Sequence, residues 1–167
     1  PSNIYAVTTL RHPGYSQPPY DSFNLGDHVG DDPKAVANNR QKLCEMLNLP
    51  IAPFWLNQVH GNAVVEWKTE RPDDNTADAI FTLKKQHPCL VLTADCLPVL
   101  LCDQAGTVVA AIHAGWKGIL SGIIEATVKA LPVSADRLLA WMGPAIGPEA
   151  FEVGEEVKTQ FVQMDPL

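Results

Sequence analysis

The order of periodicities along this chain predicts an α+β fold, with a mixed sheet or two packed sheets and helices on the outside. Three observations carry that reading: a well-capped amphipathic helix near Pro33, a dense series of short apolar runs through the middle, and further helical stretches around a last strand. The 167 residues, 46% of them hydrophobic, can bury a core of real size, and the length suggests one domain over 1–167.

Ile4 to Thr9 alternates enough to predict a first strand. His12 to Asn24, rich in Pro, Gly, Ser and Tyr, fits neither period and reads as a long ordered loop. Asp32-Pro33 is a helix start, a capping carboxylate before proline at the first helical position. Val36, Arg40, Leu43 and Leu47 then form one stripe that stops before Pro50. Strands are predicted at Phe54-Trp55-Leu56, Ala63 to Trp67, Ala79 to Thr82, Cys89 to Thr93, Pro98 to Cys102 and Val108 to Ile112. Leu90-Val91-Leu92 and Val99-Leu100-Leu101 are continuous apolar runs, as central strands covered on both faces require. Lys117 to Leu131 reads as one helix, with Ile119, Ile123, Ile124, Thr127, Val128 and Leu131 on a wide face and Pro132 ending it. A final strand, Leu138 to Met142, leads into the rigid turn Gly143 to Pro148.

Gly154 to Met164 reads as a last helix, with Val157, Phe161 and Met164 at helical spacing. The chain then stops at Asp165-Pro166-Leu167. A domain rarely ends on a freshly started amphipathic helix, so the expectation is that further chain normally follows Leu167.

A formal charge of −7 argues against a nucleic-acid binder, which would carry a basic stripe. There is no run of 18 apolar residues to span a membrane, and no signal-peptide pattern. Cys44, Cys89, Cys96 and Cys102 lack CxxC spacing and sit in apolar stretches, which reads as reduced thiols in a cytoplasmic protein.

The chemistry sits in Gln58-Val59-His60-Gly61, Thr93-Ala94-Asp95-Cys96-Leu97-Pro98 and His113-Ala114-Gly115-Trp116. Each places an imidazole or thiol at the end of an apolar run. Two histidines and one cysteine make a three-ligand set suited to zinc, leaving the fourth tetrahedral position for solvent or substrate. Singly, each has a plainer explanation: His60 as a surface or structural histidine at a turn, Cys96 as an inert core thiol. Asp95 shifts that balance, because an unpaired carboxylate between core strands is costly without a partner. The helix expected after Trp116 would offer free N–H groups to an anion. His12, His28 and His87 lie in polar, loop-like segments.

QVHG, ADAIFT (Ala77 to Thr82), TADCLPVL (Thr93 to Leu100), HAGWKG (His113 to Gly118) and MGPAIGP (Met142 to Pro148) occur here in one order, after PPYDSFNLGDHVGDD (Pro18 to Asp32). Together they closely resemble the laccase-domain family, also called polyphenol oxidases and described as multifunctional purine nucleoside phosphorylases. The resemblance runs from Arg11 to about Val157. It implies an α/β/β/α layered fold with His60, Cys96 and His113 as metal ligands. The activity it implies is zinc-dependent phosphorolysis of adenosine, inosine and methylthioadenosine, together with adenosine deamination. Within that reading Asp95 is the candidate acid/base, Arg11 a phosphate contact, and Asn24 and Gln58 polar contacts to solvent or nucleoside. Two departures stand out: Arg11-His12-Pro13-Gly14 replaces the family's Arg-x-Gly-Gly turn, and the family's final Arg-containing aromatic segment is not present in these 167 residues.

Three rivals use the same residues. A copper-dependent phenol oxidase would need a His-rich set, and five histidines with no His-x-His pair are few. A metal-independent cysteine hydrolase would pair Cys96 with His60 or His113. A scaffold with a structural zinc would need a fourth protein ligand from Cys102, Cys89 or His28.

Overall fold

The computed structural model describes residues 1–164. The chain divides into two compact units, one of Pro1–Ile4 with the described chain from Phe54 onward, the other Tyr5–Pro53.

In the Tyr5–Pro53 unit, helix α1 spans Pro33–Met46 and starts where the sequence predicts, with the Asp32 carboxylate accepting from Lys34 N–H at 3.0 Å. Ala35, Val36, Asn39 and Leu43 are its buried face. Arg40 lies on that stripe but keeps its charge satisfied: Nε donates to the Leu25 carbonyl and Nη1 lies 3.2 Å from Asp27. The loop His12 to Asn24 is ordered by Asn39, which is fully buried. Its amide nitrogen reaches Ser16 Oγ and the carbonyls of Ser22 and Asn24, and its oxygen accepts from Tyr15 N–H.

The other unit is built on a five-stranded sheet: β1 (Val64–Glu66), β2 (Ala79–Thr82), β3 (Leu97–Asp103), β4 (Val109–Ala114) and β5 (Leu138–Met142), in the order β1-β2-β4-β3-β5. Strand β1 pairs parallel with β2; all other pairs are antiparallel. The helices are α2 (Trp116–Leu120), α3 (Ile123–Ala130) and α4 (Glu155–Met164). With α1 this makes a mixed α/β fold of five strands and four α-helices among the described residues.

Alternation sorts the sheet's side chains between two apolar layers. Ala79, Phe81, Val99, Leu101, Ala110, Ile112 and Ala114 pack with Ile123 and Leu131 of the α3 region. Ile80 and Ala111 cluster with Phe54, Leu56, Trp67 and Ala77. Ile80 and Ile112 are fully buried, each contributing about 2–3 kcal/mol over exposure. Because β4 is buried almost throughout, it holds a histidine near its end without exposing the strand.

Several expectations are corrected. Ile4 to Thr9 forms no strand, and Tyr5 and Val7 are exposed, so its alternation faces no partner. Phe54 to Leu56 and Cys89 to Thr93 are irregular. Phe54, Leu56, Cys89 and Val91 nonetheless join the second apolar layer. Apolar runs report burial, and these two satisfy it by lying against the sheet rather than pairing within it. The helix predicted over Lys117 to Leu131 is two helices, broken at Ser121-Gly122, where Gly122 takes φ 82°, a left-handed torsion that glycine adopts without strain. Asp165-Pro166-Leu167, which follow the last helix, lie outside the described residues.

Candidate metal centre

His60 belongs to a tight turn and has φ 61°, a left-handed conformation that is uncommon in non-glycine residues. The carboxylate of Asp78 holds that turn. Asp78 sits just before β2, is fully buried, and accepts from three successive N–H groups: Val59 at 3.2 Å, His60 at 2.9 Å and Gly61 at 2.7 Å. Converging N–H groups of this kind form an anion-binding nest, here filled by the protein's own carboxylate.

His113 lies near the end of β4 and is 4% exposed. Its Nδ1 is 2.8 Å from Asp78 Oδ1, and its backbone N–H donates to the Asp78 carbonyl at 2.7 Å. An ionised carboxylate can only accept, which gives Nδ1 the donor role in this pair. Cys96, half-buried, lies one residue before β3, whose Pro98 pairs with His113 on β4. Sheet register therefore brings the thiol beside the imidazole. The His60 and His113 rings meet edge to face with centroids 4.6 Å apart.

His60, Cys96 and His113 each direct one ligand atom into a common cluster whose atoms all lie within 4.8 Å of one another. Donors around a tetrahedral zinc are separated by about 3.5 Å, so the set is near a coordinating geometry. Gly115 makes the approach possible, since a Cβ there would stand 3.0 Å from both Cys96 Sγ and His60 Cδ2. Burial, with the charges of Asp95 and Asp78, pushes the Cys96 thiol above its ordinary pKa. A cysteine nucleophile needs the opposite shift, so the surroundings favour a cation as its partner.

The other candidate residues behave differently. Asp95 is exposed, which overturns the expectation of a carboxylate trapped between core strands; its backbone carbonyl accepts from Ile146 N–H. Gln58 clamps the backbone of Leu92, its Nε2 donating to the carbonyl at 2.8 Å and its Oε1 accepting from the N–H at 2.7 Å. It thereby fixes the segment leading to Cys96. Arg11 and Asn24 belong to the Tyr5–Pro53 unit. Arg11 is paired with Asp21, while the Asn24 amide bonds Gly26 and Asp31. Cys89 is half-buried with its Sγ 3.8 Å from the Val109 carbonyl, and burial pushes its thiol up to about 12, away from the thiolate. The helix after Trp116 is the five-residue α2, with Gly115 at its N-cap. Sequence reasoning missed Asp78, although it interrupts the apolar run Ala77 to Thr82 and invites the same burial argument spent on Asp95.

Beside the mixed sheet of an α/β fold, His60, Cys96 and His113 form a cluster that could hold a metal ion. Comparison with known proteins then places the chain: it belongs to the family described as multi-copper polyphenol oxidoreductase laccase, whose model matches residues 5–167. It is 48% identical over 165 residues to "Purine nucleoside phosphorylase YfiH" of Shigella flexneri, covering 99% of this chain and 68% of that protein. It is 52% identical over 162 residues to "Purine nucleoside phosphorylase PA4543" of Pseudomonas aeruginosa, covering 97% of this chain and 65% of that protein. Among solved structures, Neisseria meningitidis protein NMB0706 superposes with a TM-score of 0.87 at 45% identity, covering 93% of this chain and 64% of that one. YlmD from Geobacillus stearothermophilus gives a TM-score of 0.86 at 28% identity, covering 93% and 63%. The chain thus spans about two thirds of the length of these relatives.

Proposed function

We propose that this chain carries the metal-centred part of a purine nucleoside phosphorylase that uses zinc, acting on adenosine, inosine and methylthioadenosine. The observation that supports it is the convergence of His60, Cys96 and His113 on one cluster, in a chain whose relatives are named for that activity. The donor set fits: two imidazoles and a thiol suit zinc, and three protein ligands leave a position open. Zinc held there would act as a Lewis acid toward charge developing on an oxygen or nitrogen of the substrate.

The chain's own groups have distinct tasks in this reading. His113, with Nδ1–H committed to Asp78, presents Nε2; His60 and Cys96 complete the set. In phosphorolysis a phosphate oxygen bonds to ribose C1′ while the C1′–N9 bond breaks and the base departs with its electron pair, taking up a proton. Asp95, exposed and adjacent to Cys96, is placed to move that proton, whereas the Asp78 oxygens are occupied by four donors. Gln58, which holds the Leu92 backbone, positions the segment leading to Cys96 in this reading. Adenosine deamination belongs to the same proposal: water oxygen bonds to C6, the bond from C6 to the exocyclic amine breaks, and the amine leaves as ammonia with a proton that the water gives up. No helix among the described residues is long and apolar enough to cross a membrane.

Metal content of freshly purified protein, combined with phosphate-dependent release of hypoxanthine from inosine, tests this. About one zinc per chain and release that requires phosphate are expected. Several coppers with phenol oxidation, or turnover with no metal at all, would replace it with the oxidase or the Cys96/His hydrolase.

A further inference from the structure

We infer that Asp78 is the positioning residue of the cluster: it holds His113 as the Nδ1–H tautomer with Nε2 bare, and it pins the left-handed turn that carries His60. The inference rests on the reading of His60, Cys96 and His113 as metal ligands.

The four donors around Asp78 come from two separate elements. Three belong to the turn Val59 to Gly61, and one is the imidazole of His113 on β4. One fully buried side chain therefore ties together two of the three candidate ligands, His60 through its backbone and His113 through its ring. A buried carboxylate is expensive to place, and an amide of the same shape could accept from part of the turn at lower cost. What an amide cannot do is oblige the imidazole to donate, since its own NH₂ could take the Nδ1 lone pair. A carboxylate excludes that alternative. Its charge also makes the bare Nε2 a better donor to a cation, the arrangement seen where a carboxylate backs a metal-binding histidine.

The turn supplies the second half of the argument. A non-glycine residue at φ 61° is strained and persists where the surroundings over-determine it. Three N–H bonds to one carboxylate do this, and the torsion they enforce sets the imidazole of His60 against His113 at 4.6 Å. Gly118 lets the same turn approach closely: a Cβ there would stand 3.1 Å from the Gly61 carbonyl.

Nitrogen-15 NMR of imidazole-labelled, metal-free wild-type protein reads the tautomer directly, with His113→Gln identifying the signal. The expected result is Nδ1–H with an unprotonated Nε2; a predominant Nε2–H form overturns the inference without any variant having to fold. Zinc affinity by chelator competition supplies the second readout, with Asp78→Asn weakening it about 10–100-fold. Unchanged affinity in folded Asp78→Asn protein also overturns it. Asp78-dependent zinc binding without phosphorolysis would sink the proposed function and leave this inference standing, whereas phosphorolysis by Asp78→Asn at wild-type zinc affinity would do the reverse.

Discussion

Each compact unit is organised by one buried polar side chain, and the two were built for different ends. Asn39 on α1 and Asp78 before β2 are both fully buried, and each side chain makes four hydrogen bonds. Asn39 both donates and accepts, which suits a loop whose backbone presents carbonyls from Ser22 and Asn24 and an N–H from Tyr15. It carries no charge and leaves none to be balanced. The Asp78 carboxylate accepts every bond it makes, and one of its donors is an imidazole. A neutral hub is sufficient to order a loop; a buried charge is worth its desolvation where an imidazole must be polarised. Polar burial alone therefore does not mark a site, whereas the sign of the hub and the identity of its donors do.

The largest effect that would sharpen this contrast is removal of a candidate ligand. Cys96→Ala or His113→Ala should abolish zinc retention, exceeding the roughly 10–100-fold loss expected for a supporting partner. Zinc content after dialysis measures it, and full retention by either variant would dissolve the cluster's assignment. Next comes the neutral hub. Asn39→Ala removes the partner of the Tyr15 N–H and of the Asn24 carbonyl, while the Ser22 carbonyl keeps the Ser16 N–H, so destabilisation of about 3 kcal/mol is expected. Urea unfolding measures it, along with faster proteolysis within residues 11–24. A cost below about 1 kcal/mol would mean that the loop is held by other contacts.

Much of this was legible in the sequence, for a physical reason. His60, Cys96 and His113 interrupt apolar runs, His60 at a turn, Cys96 just before β3 and His113 near the end of β4, where a side chain can face something other than core. The cap at Asp32 and strands β2 to β5 followed from equally local signals. What stayed hidden depends on partners distant in sequence. Cys89 to Thr93 has a strand's composition, yet its backbone is held by the Gln58 side chain 34 residues away from Leu92. The stripe over Lys117 to Leu131 has a continuous helix's periodicity, and the break at Gly122 is a torsion that no apolar pattern records. Asp78 and Asp95 look alike in sequence, each following alanine in a run of apolar residues; only the fold buries the first and exposes the second.

A smaller change probes the close approach beneath the cluster. In Gly115→Ala the new methyl would meet Cys96 Sγ and His60 Cδ2 at 3.0 Å, so both candidate ligands must shift by a few tenths of an ångström. Crowding of this kind costs roughly 1–3 kcal/mol in a packed setting, and the expected result is zinc binding weakened about tenfold with the sheet intact. Chelator competition and circular dichroism check the two halves. Wild-type affinity would show that the cluster tolerates displacement, contrary to a site held rigid by Asp78.

The smallest effect comes from a second carboxylate in the same unit, which separates anchoring from polarising. Asp103, at the turn from β3 to β4, accepts from Thr107 N–H and Oγ1 and from Val108 N–H, with no histidine among its donors. Burial opposes its ionisation, but the hydrogen bonds from Val108, Thr107 and Ala105 outweigh it and hold the carboxyl at about 2. Its folded pKa thus lies below the unfolded value of about 3.9. The sign follows: the ionised group stabilises the fold above about pH 4, and that contribution fades as pH falls toward 2. Asp103→Asn should therefore lower the thermal midpoint by a few degrees at neutral pH. The gap between variant and wild type should narrow on acidification, with zinc affinity at neutral pH unchanged. Thermal melts from about pH 7 down to about pH 2.5 measure the first, chelator competition the second. A gap that persists into acid would show that Asp103 acts through shape rather than charge, and a loss of zinc would mean that any carboxylate at a turn of this sheet supports the cluster, erasing the distinction drawn for Asp78.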